Sequence, residues 1–271
     1  MKLLDNYEIW AARLSEANDS EMDFDIEVNK IYLKEFFEAP IHRFTPVLSW
    51  YIRSKWADAF KMIKPNAPIE VLELASGSSV FVPQTVAKHY NDPQSKYTTF
   101  NLNKRLTAGF KAQTKNLPLK VDVVEDAAQN IDDYIGENKI DAVVFEHAIN
   151  DILQGMFAER NGIDTIDTDW FEILPEMVKI ISAEYRNGTF EAAVKDEFLA
   201  LLNSCLNVLK PNGVMVFFQF MYQMDLDLGY DPELYGNMVD IIRRWVQGAG
   251  IGQEVFFDGF DPHWWMFIQK I

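Results

Sequence analysis

The chain has 271 residues, 48% of them hydrophobic and 14% aromatic, which suits one large domain, or one domain with a cap, around a substantial core. Its formal net charge of −16 opposes binding to nucleic-acid phosphates; a well-solvated acidic surface and attraction of a cationic substrate both remain open as explanations. A single cysteine, Cys205, excludes an intramolecular disulfide and a cysteine-rich zinc site, and no apolar run reaches the roughly 20 residues of a membrane span.

Residues 1–65 carry apolar side chains at helical spacing and are predicted to form a helical cap. The segment Met1–Asn6 turns polar too soon for a signal peptide, so a cytoplasmic location is expected. Trp50 and Tyr51 belong to an aromatic stripe within this cap. Packing in the core or cap is the default interpretation, and contact with an aromatic or cationic substrate is the alternative.

From residue 69 onward, short apolar strands alternate with helices, which predicts a parallel sheet covered on both faces. The predicted strands are Ile69–Leu74, Tyr97–Leu102, Leu119–Val124, Ile140–Glu146, Val214–Phe220, Glu254–Phe257 and Trp264–Gln269. The last two would close the sheet as a hairpin. The predicted fold class is therefore α/β, a doubly wound, mostly parallel, seven-stranded Rossmann-like sheet with an N-terminal helical cap.

The predicted helices fill the connections between these strands. They span Phe81–His89, Lys104–Lys115, Ala128–Ile135, Phe190–Leu209 and Pro232–Gln247. Two long connections, 152–189 and 221–253, follow the fourth and fifth strands. Long connections at the carboxyl ends of parallel strands usually build the substrate pocket.

Polar and small residues stand at the carboxyl ends of the first four strands, where open parallel sheets bind their ligands. The first strand ends in the run Glu73–Ser79, whose small residues would let a ligand approach the backbone closely. Asn101 ends the second strand, Asp126 and Ala127 follow the third, and the segment Glu146–Asp151 follows the fourth.

These strand ends, together with the turn Leu209–Gly213 before the fifth strand, resemble the class I S-adenosylmethionine-dependent methyltransferases from about residue 69 to 271. The resemblance implies a cofactor-binding domain over 66–271 with insertions at 152–189 and 221–253, and S-adenosylmethionine as the cofactor. It implies that the following residues bind the cofactor: Glu73, Ala75, Ser76, Gly77, Ser79, Asn101, Leu102, Asp126, Ala127 and Glu146. Ala75, Ser79 and Asn101 depart from the usual family pattern.

His147 is the candidate general base, because an unperturbed histidine titrates near neutral pH. The alternative is a histidine that orders the cofactor loop or bonds to a backbone carbonyl. Asn150, Asp151 and Tyr222 are candidate substrate-binding residues, with Asp151 alternatively capping the helix that follows. Four widely separated histidines give no metal-ligand spacing, so no metal is predicted.

The expected function is methyl transfer from S-adenosylmethionine to a small-molecule substrate under the helical cap. Neither a nucleic-acid nor a membrane partner is expected, and a homo-oligomer is compatible with the sequence. Two alternatives stay open. One is a methyltransferase of a basic protein segment, and the other is a non-catalytic ligand-binding protein that keeps the fold.

Overall fold

A computed structural model of the protein describes residues 46–271, so the helices predicted before residue 46 lie outside the described part. The first described helix, α1, spans Pro46–Ile63. Tyr51, Trp56 and Phe60 of this helix are buried in one core cluster with side chains of the central strands. Helix α1 therefore packs directly on the sheet. The predicted division into a cap and a second domain at residue 65 stays a prediction.

Seven strands form one sheet in the order β3-β2-β1-β4-β5-β7-β6. They are β1 (Glu70–Leu74), β2 (Lys96–Phe100), β3 (Lys120–Val124), β4 (Ile140–Glu146), β5 (Leu209–Phe218), β6 (Gln253–Val255) and β7 (Trp265–Gln269). Strands β1 to β5 pair in parallel, whereas β7 runs antiparallel to both β5 and β6. The predicted doubly wound, mostly parallel sheet is confirmed.

Helices cover both faces of the sheet. They are α2 (Phe81–His89), α3 (Lys104–Thr114), α4 (Ile131–Tyr134), α5 (Ile149–Arg160), α6 (Trp170–Arg186), α7 (Phe190–Val208), α8 (Gln223–Asp227), α9 (Pro232–Gly236) and α10 (Met238–Ala249), with a 3-10 turn at Ala128–Asn130. Side chains of α1, α2 and α3 share one core cluster, and those of α4 to α7, α9 and α10 share the other. Alternate residues of the central strands point into these two clusters because side chains alternate across a strand.

The helix predicted over Pro232–Gln247 is broken in the structure. Helix α9 ends at Gly236, Asn237 has a non-helical backbone (φ −104°, ψ 15°), and α10 begins at Met238. Glycine is a poor helix former, and the Asn237 side chain donates a hydrogen bond to the Glu233 carbonyl at 2.8 Å. The two residues together explain the break, which hydrophobic periodicity alone did not reveal.

The strand order reverses between β1 and β4, the two central strands that carry the predicted site residues. At such a point the connections leave in opposite directions and open a crevice at the carboxyl ends of the strands. Within residues 46–271, no helix is long and apolar enough to cross a membrane.

Candidate functional site

The turn after β1 has an unusual backbone. Ala75 has φ 52° and Gly77 has φ 57°, both in the left-handed region. The Ala75 N–H donates to the Phe100 carbonyl at 2.9 Å, which ties the turn to the end of β2. Glycine tolerates this region freely, whereas an alanine there costs about 1–2 kcal/mol. The fold thus holds a strained, small-residue turn at the edge of the crevice.

Asn101, which directly follows β2, is buried and is bonded to the same turn. Its Oδ1 accepts from the Gly77 N–H at 3.2 Å, and its Nδ2 donates to the Gly77 carbonyl at 2.6 Å. Both ends of the amide are therefore used inside the protein. A contact of Asn101 with a cofactor ribose stays a prediction.

Glu73, near the end of β1, is completely buried. The Tyr97 hydroxyl of β2 donates a short hydrogen bond to its Oε2, while its Oε1 has no partner among the described residues. Burial and the nearby Glu146 raise the pKa of Glu73 well above its ordinary value, and the Tyr97 bond acts in the opposite direction. A buried carboxyl group with a free oxygen thus lies at the centre of the sheet.

Glu146 ends β4 on the same face of the sheet as Glu73. The Ser79 hydroxyl donates to its Oε2 at 3.0 Å, which joins the turn after β1 to the end of β4. Its Oε1 is also buried without a partner in the part of the chain that the structure describes. Burial raises the pKa of Glu146 to about 7, although the Ser79 bond lowers it. The site therefore contains two close carboxyl groups, each with one unbonded oxygen.

His147 follows β4 with φ 51°, and its ring stacks on Phe220 with a centroid separation of 4.2 Å. Its Nδ1 lies 3.2 Å from the amide nitrogen of Gln219, and its Nε2 lies 3.3 Å from the Tyr235 hydroxyl. Burial lowers the pKa of His147 to about 3, so the ring is neutral at physiological pH. These contacts favour the ordering role over the general base, whose assignment stays a prediction.

The hydrogen bonds continue in both directions from this histidine. On one side, Gln219 donates to Asn150 Oδ1 at 2.8 Å, and Asn150 donates to Asp151 Oδ1 at 2.8 Å. On the other side, the Tyr235 hydroxyl donates to Asp225 Oδ2 at 2.6 Å. A continuous network thus ends in a carboxyl group at each side.

The two terminal carboxyl groups lie close enough to affect one another. Burial raises the pKa of Asp151 to about 8, and the charges of Asp225 and Glu146 contribute to the increase. Burial also raises the pKa of Asp225, against the effect of its Tyr235 hydrogen bond. Tyr222 adds an aromatic wall, with its ring centroid 4.4 Å from that of His147. The structure therefore brings together five of the predicted site residues, Glu146, His147, Asn150, Asp151 and Tyr222, and their roles stay predictions.

The remaining predicted residues have other surroundings. Asp126 is partly exposed, accepting hydrogen bonds from Ala127 N–H, Asn130 and Tyr134, which lower its pKa. Ser76 is buried and accepts from the Thr99 hydroxyl at 3.0 Å, and Leu102 is half-buried after β2. Tyr51, which belongs to α1, is buried in the core, in agreement with the default interpretation that its aromatic stripe packs there. The side chain of Trp50 lies outside the described part.

Four site residues were not identified from the sequence: Tyr97, Gln219, Asp225 and Tyr235. Gln219 directly follows β5, so its position at a strand end was an available signal. The other three lie within predicted strands, helices or connections with nothing in their spacing to distinguish them. No group of three or more histidine, cysteine or acidic side chains in residues 46–271 is arranged to hold a metal ion.

The fold has counterparts among solved structures. A protein from Methanococcus maripaludis, provisionally described as an S-adenosyl-L-methionine-dependent methyltransferase, is 12% identical, with a TM-score of 0.50 over 94% of this chain and 96% of its own. An rRNA methylase from Streptococcus thermophilus is 11% identical, with a TM-score of 0.43 over 81% and 93% of the two chains.

A third structure is that of CalS10, an amino pentose methyltransferase from Micromonospora echinaspora solved with S-adenosylmethionine bound. It is 14% identical, with a TM-score of 0.35 over 64% of this chain and 51% of its own. No protein-family model matches the sequence, and no curated protein matches it significantly. The chain has the fold of the class I S-adenosylmethionine-dependent methyltransferases. This conclusion rests on the strand order, on the turn after β1 and on the likeness to the Methanococcus maripaludis structure.

Proposed function

We propose that this chain is an S-adenosylmethionine-dependent methyltransferase that acts on a small-molecule substrate. The observation that carries the proposal is the pair Glu73 and Glu146, two buried carboxyl groups at the strand-order reversal, each with one oxygen lacking a partner among the described residues. A buried carboxylate is stable only when it is paired or bonded. S-adenosylmethionine carries a sulfonium and an ammonium charge, so it could satisfy both groups.

The cofactor would be held by the turn after β1 and the neighbouring strand ends. Glu146 and Ser79 would bond its amino acid part, the small residues Ala75, Ser76 and Gly77 would let its chain lie against the backbone, and Asp126 with Ala127 and Leu102 would face the nucleoside. When bound, it supplies an electrophilic methyl group on a positively charged sulfur. The protein would orient the methyl acceptor in line with that group and exclude water.

Asn101 and His147 would act by positioning. Asn101 fixes the backbone of Gly77 through both ends of its amide. His147 connects Gln219 of the β5 end to Tyr235 of α9, and its neutral ring is held by a hydrogen bond at each nitrogen. The turn that receives the cofactor and the wall that receives the substrate are thus fixed in place.

The substrate side is enclosed, which favours a small molecule over a protein segment. Tyr235 and Asp225 are buried, and Asp151 and Tyr222 are half-buried, so the site carboxyl groups do not form an open acidic surface. The net charge of −16 also opposes an RNA substrate. A basic protein segment would need an accessible acidic groove, for which the described residues give no specific support.

Isothermal titration calorimetry with S-adenosylmethionine and with its demethylated product tests this proposal. We expect micromolar binding and a cofactor-dependent rise in melting temperature. Glu146→Gln, measured at pH 8 so that the wild-type group is ionised, should weaken binding about tenfold. The exposed Glu191→Gln gives the same charge change away from the site and should leave binding unchanged. Absence of binding to either compound, without a change in melting temperature, would contradict the proposal.

A further inference from the structure

The region around Asp151 and Asp225 lies beyond the proposed cofactor contacts and has its own chemistry. We infer that the substrate of this site carries a protonated amino group that binds between Asp151 and Asp225. That this amine is then methylated rests on the proposed function, whereas its binding can be tested independently. The two carboxyl groups approach each other from different elements, Asp151 from the first turn of α5 and Asp225 from α8.

The hydrogen-bond network fixes these two carboxyl groups while leaving acceptor capacity on each. Asp151 accepts one hydrogen bond through Oδ1, from Asn150, and Asp225 accepts one through Oδ2, from Tyr235. A carboxylate has about four acceptor positions on its two oxygens. Each carboxyl group is therefore oriented by one neighbour and can still accept hydrogen bonds from an ammonium group. A protonated primary amine has three N–H donors to offer.

The charge of the cluster has no counter-ion within residues 46–271. None of the four carboxyl groups, Glu73, Glu146, Asp151 and Asp225, forms an ion pair with a lysine or arginine there. The neighbouring charges that raise the pKa values of Glu73 and Asp151 belong to other carboxyl groups. Like charges in a buried site raise one another's pKa until a cation enters. A protonated amine would lower the free energy of this cluster, whereas a carboxylate or phosphate substrate would raise it.

A second set of atoms points to a ligand at the same place. Gln154 is completely buried, and neither its amide nitrogen nor its amide oxygen has a partner among the described residues. Its amide interacts with the Tyr230 hydroxyl and lowers the pKa of that tyrosine, although neither group forms a hydrogen bond of full geometry with any described residue. The Asp225 and Asp151 charges raise the pKa of this same tyrosine, so Tyr230 lies within the electrostatic range of the two carboxyl groups.

Such buried, unbonded polar groups cost about 1–3 kcal/mol each, so native proteins rarely leave them unsatisfied. The Gln154 amide can both donate and accept, and the Tyr230 hydroxyl can do the same. A substrate that presents polar atoms beside its ammonium group would satisfy them. Tyr235 bonds to Asp225, and the charges of Asp151 and Asp225 raise the pKa of Tyr222, so both aromatic rings are near enough for a cation–π contribution.

Matched amines and alcohols provide the test. The probes are butylamine, phenethylamine and tyramine, each compared with the alcohol in which a hydroxyl replaces the amino group: butanol, 2-phenylethanol and tyrosol. Binding is measured at pH 9, where Asp151 is ionised and the amines are still mostly protonated, by calorimetry and by saturation-transfer NMR, with and without S-adenosylhomocysteine. We expect at least one amine to bind ten times more tightly than its alcohol.

Two variants localise the binding. Asp151→Asn and Asp225→Asn should each weaken amine binding at least tenfold, because each keeps its shape and loses its charge. Asp227→Asn, an exposed position on the same α8 helix, makes the same charge change and should have no effect. The raised pKa values of Asp151 and Asp225 mean that removing their charge should not unfold the protein, which circular dichroism would verify.

The inference is overturned if no amine binds more tightly than its alcohol, or if both site variants bind amines as the wild type does. Its failure differs from failure of the proposed function. Retained S-adenosylhomocysteine binding without amine preference removes only the amine site. Amine binding that depends on Asp151, with no binding of S-adenosylhomocysteine, removes only the methyltransferase.

Discussion

Asn101 is bonded through both ends of its side-chain amide to one residue, Gly77, whose N–H and carbonyl belong to the turn after β1. The two bonds require an acceptor and a donor in one planar group, which an amide provides and a carboxylate does not. Asn101 is one of the residues at which the chain departs from the usual pattern of the family that it resembles. The asparagine therefore has a structural explanation that is independent of any contact with a ribose.

Asn101→Asp distinguishes these two roles. In the wild type, Nδ2 of Asn101 lies 2.6 Å from the Gly77 carbonyl oxygen. If the amide holds Gly77 in place, aspartate keeps the acceptor but puts an anionic oxygen against that carbonyl. We expect a loss of about 1–2 kcal/mol in the free energy of unfolding and a weaker affinity for S-adenosylhomocysteine. Chemical denaturation and calorimetry measure the two effects, and the exposed Asn91→Asp is the control. Unchanged or tighter cofactor binding would assign Asn101 to the ribose instead.

Ala75→Gly tests the strain in the same turn. Ala75 has φ 52°, where a Cβ atom costs about 1–2 kcal/mol, while the glycine gains conformational entropy of about 0.4–1 kcal/mol in the unfolded chain. The balance predicts a stabilisation of about 0.5 kcal/mol by chemical denaturation. The exposed Ala200→Gly, within helix α7, should instead destabilise by about 1 kcal/mol. Equal destabilisation by both substitutions would show that residue 75 is not strained.

The sequence predicted the sheet well because its information is local. Ile140–Glu146 is a continuous apolar run, and the structure places β4 over the same residues, buried on both faces. Glu146 and His147 were identified because a strand end is visible in the chain itself. The alternation of strands and helices predicted a parallel sheet, whereas the order of its strands comes from the structure.

The partners of those strand-end residues were not predictable in the same way. Tyr235 lies 88 positions from His147 in the chain, and Gln219 lies 72 positions from it. Their meeting depends on how the connection after β5 folds into α8 and α9, including the break at Gly236 and Asn237. No periodicity encodes a single polar contact over such separations. The functional role expected of His147 therefore depended on surroundings that only the structure provides.

The raised pKa of Asp151 predicts a pH dependence of stability. A carboxyl group with a higher pKa in the folded protein binds its proton more tightly when folded, so stability decreases as pH rises from the unfolded pKa toward the folded one. For Asp151 that interval runs from 3.8 to about 8, and for Glu146 from 4.5 to about 7. The unfolding free energy of the ligand-free protein should therefore decrease between about pH 5 and pH 8.

Asp151→Asn should make this decrease shallower, by at most about 1.4 kcal/mol per pH unit, since one titrating group is removed. Urea denaturation at one-unit steps from pH 5 to pH 9 measures the slope. The exposed Asp227→Asn should retain the wild-type slope. Identical slopes for wild type and Asp151→Asn would mean that Asp151 titrates near its ordinary pKa. The carboxyl groups with lowered pKa values, such as Asp126, titrate below this range and do not disturb it.

The orientation of the network predicts the tautomer of His147. The Tyr235 hydroxyl donates its single hydrogen to Asp225, so toward His147 it can only accept, and the Gln219 nitrogen faces Nδ1 on the other side of the ring. Nδ1 must then accept, which leaves the proton on Nε2, directed at Tyr235. Nitrogen-15 long-range NMR should show a ring protonated at Nε2 between pH 5 and pH 9. Loss of the signal in His147→Asn assigns it to this residue, and asparagine is chosen because it tolerates φ 51°. A ring that titrates near pH 6.5 would contradict both this tautomer and the lowered pKa of His147. His147 would then again be a candidate for the general base.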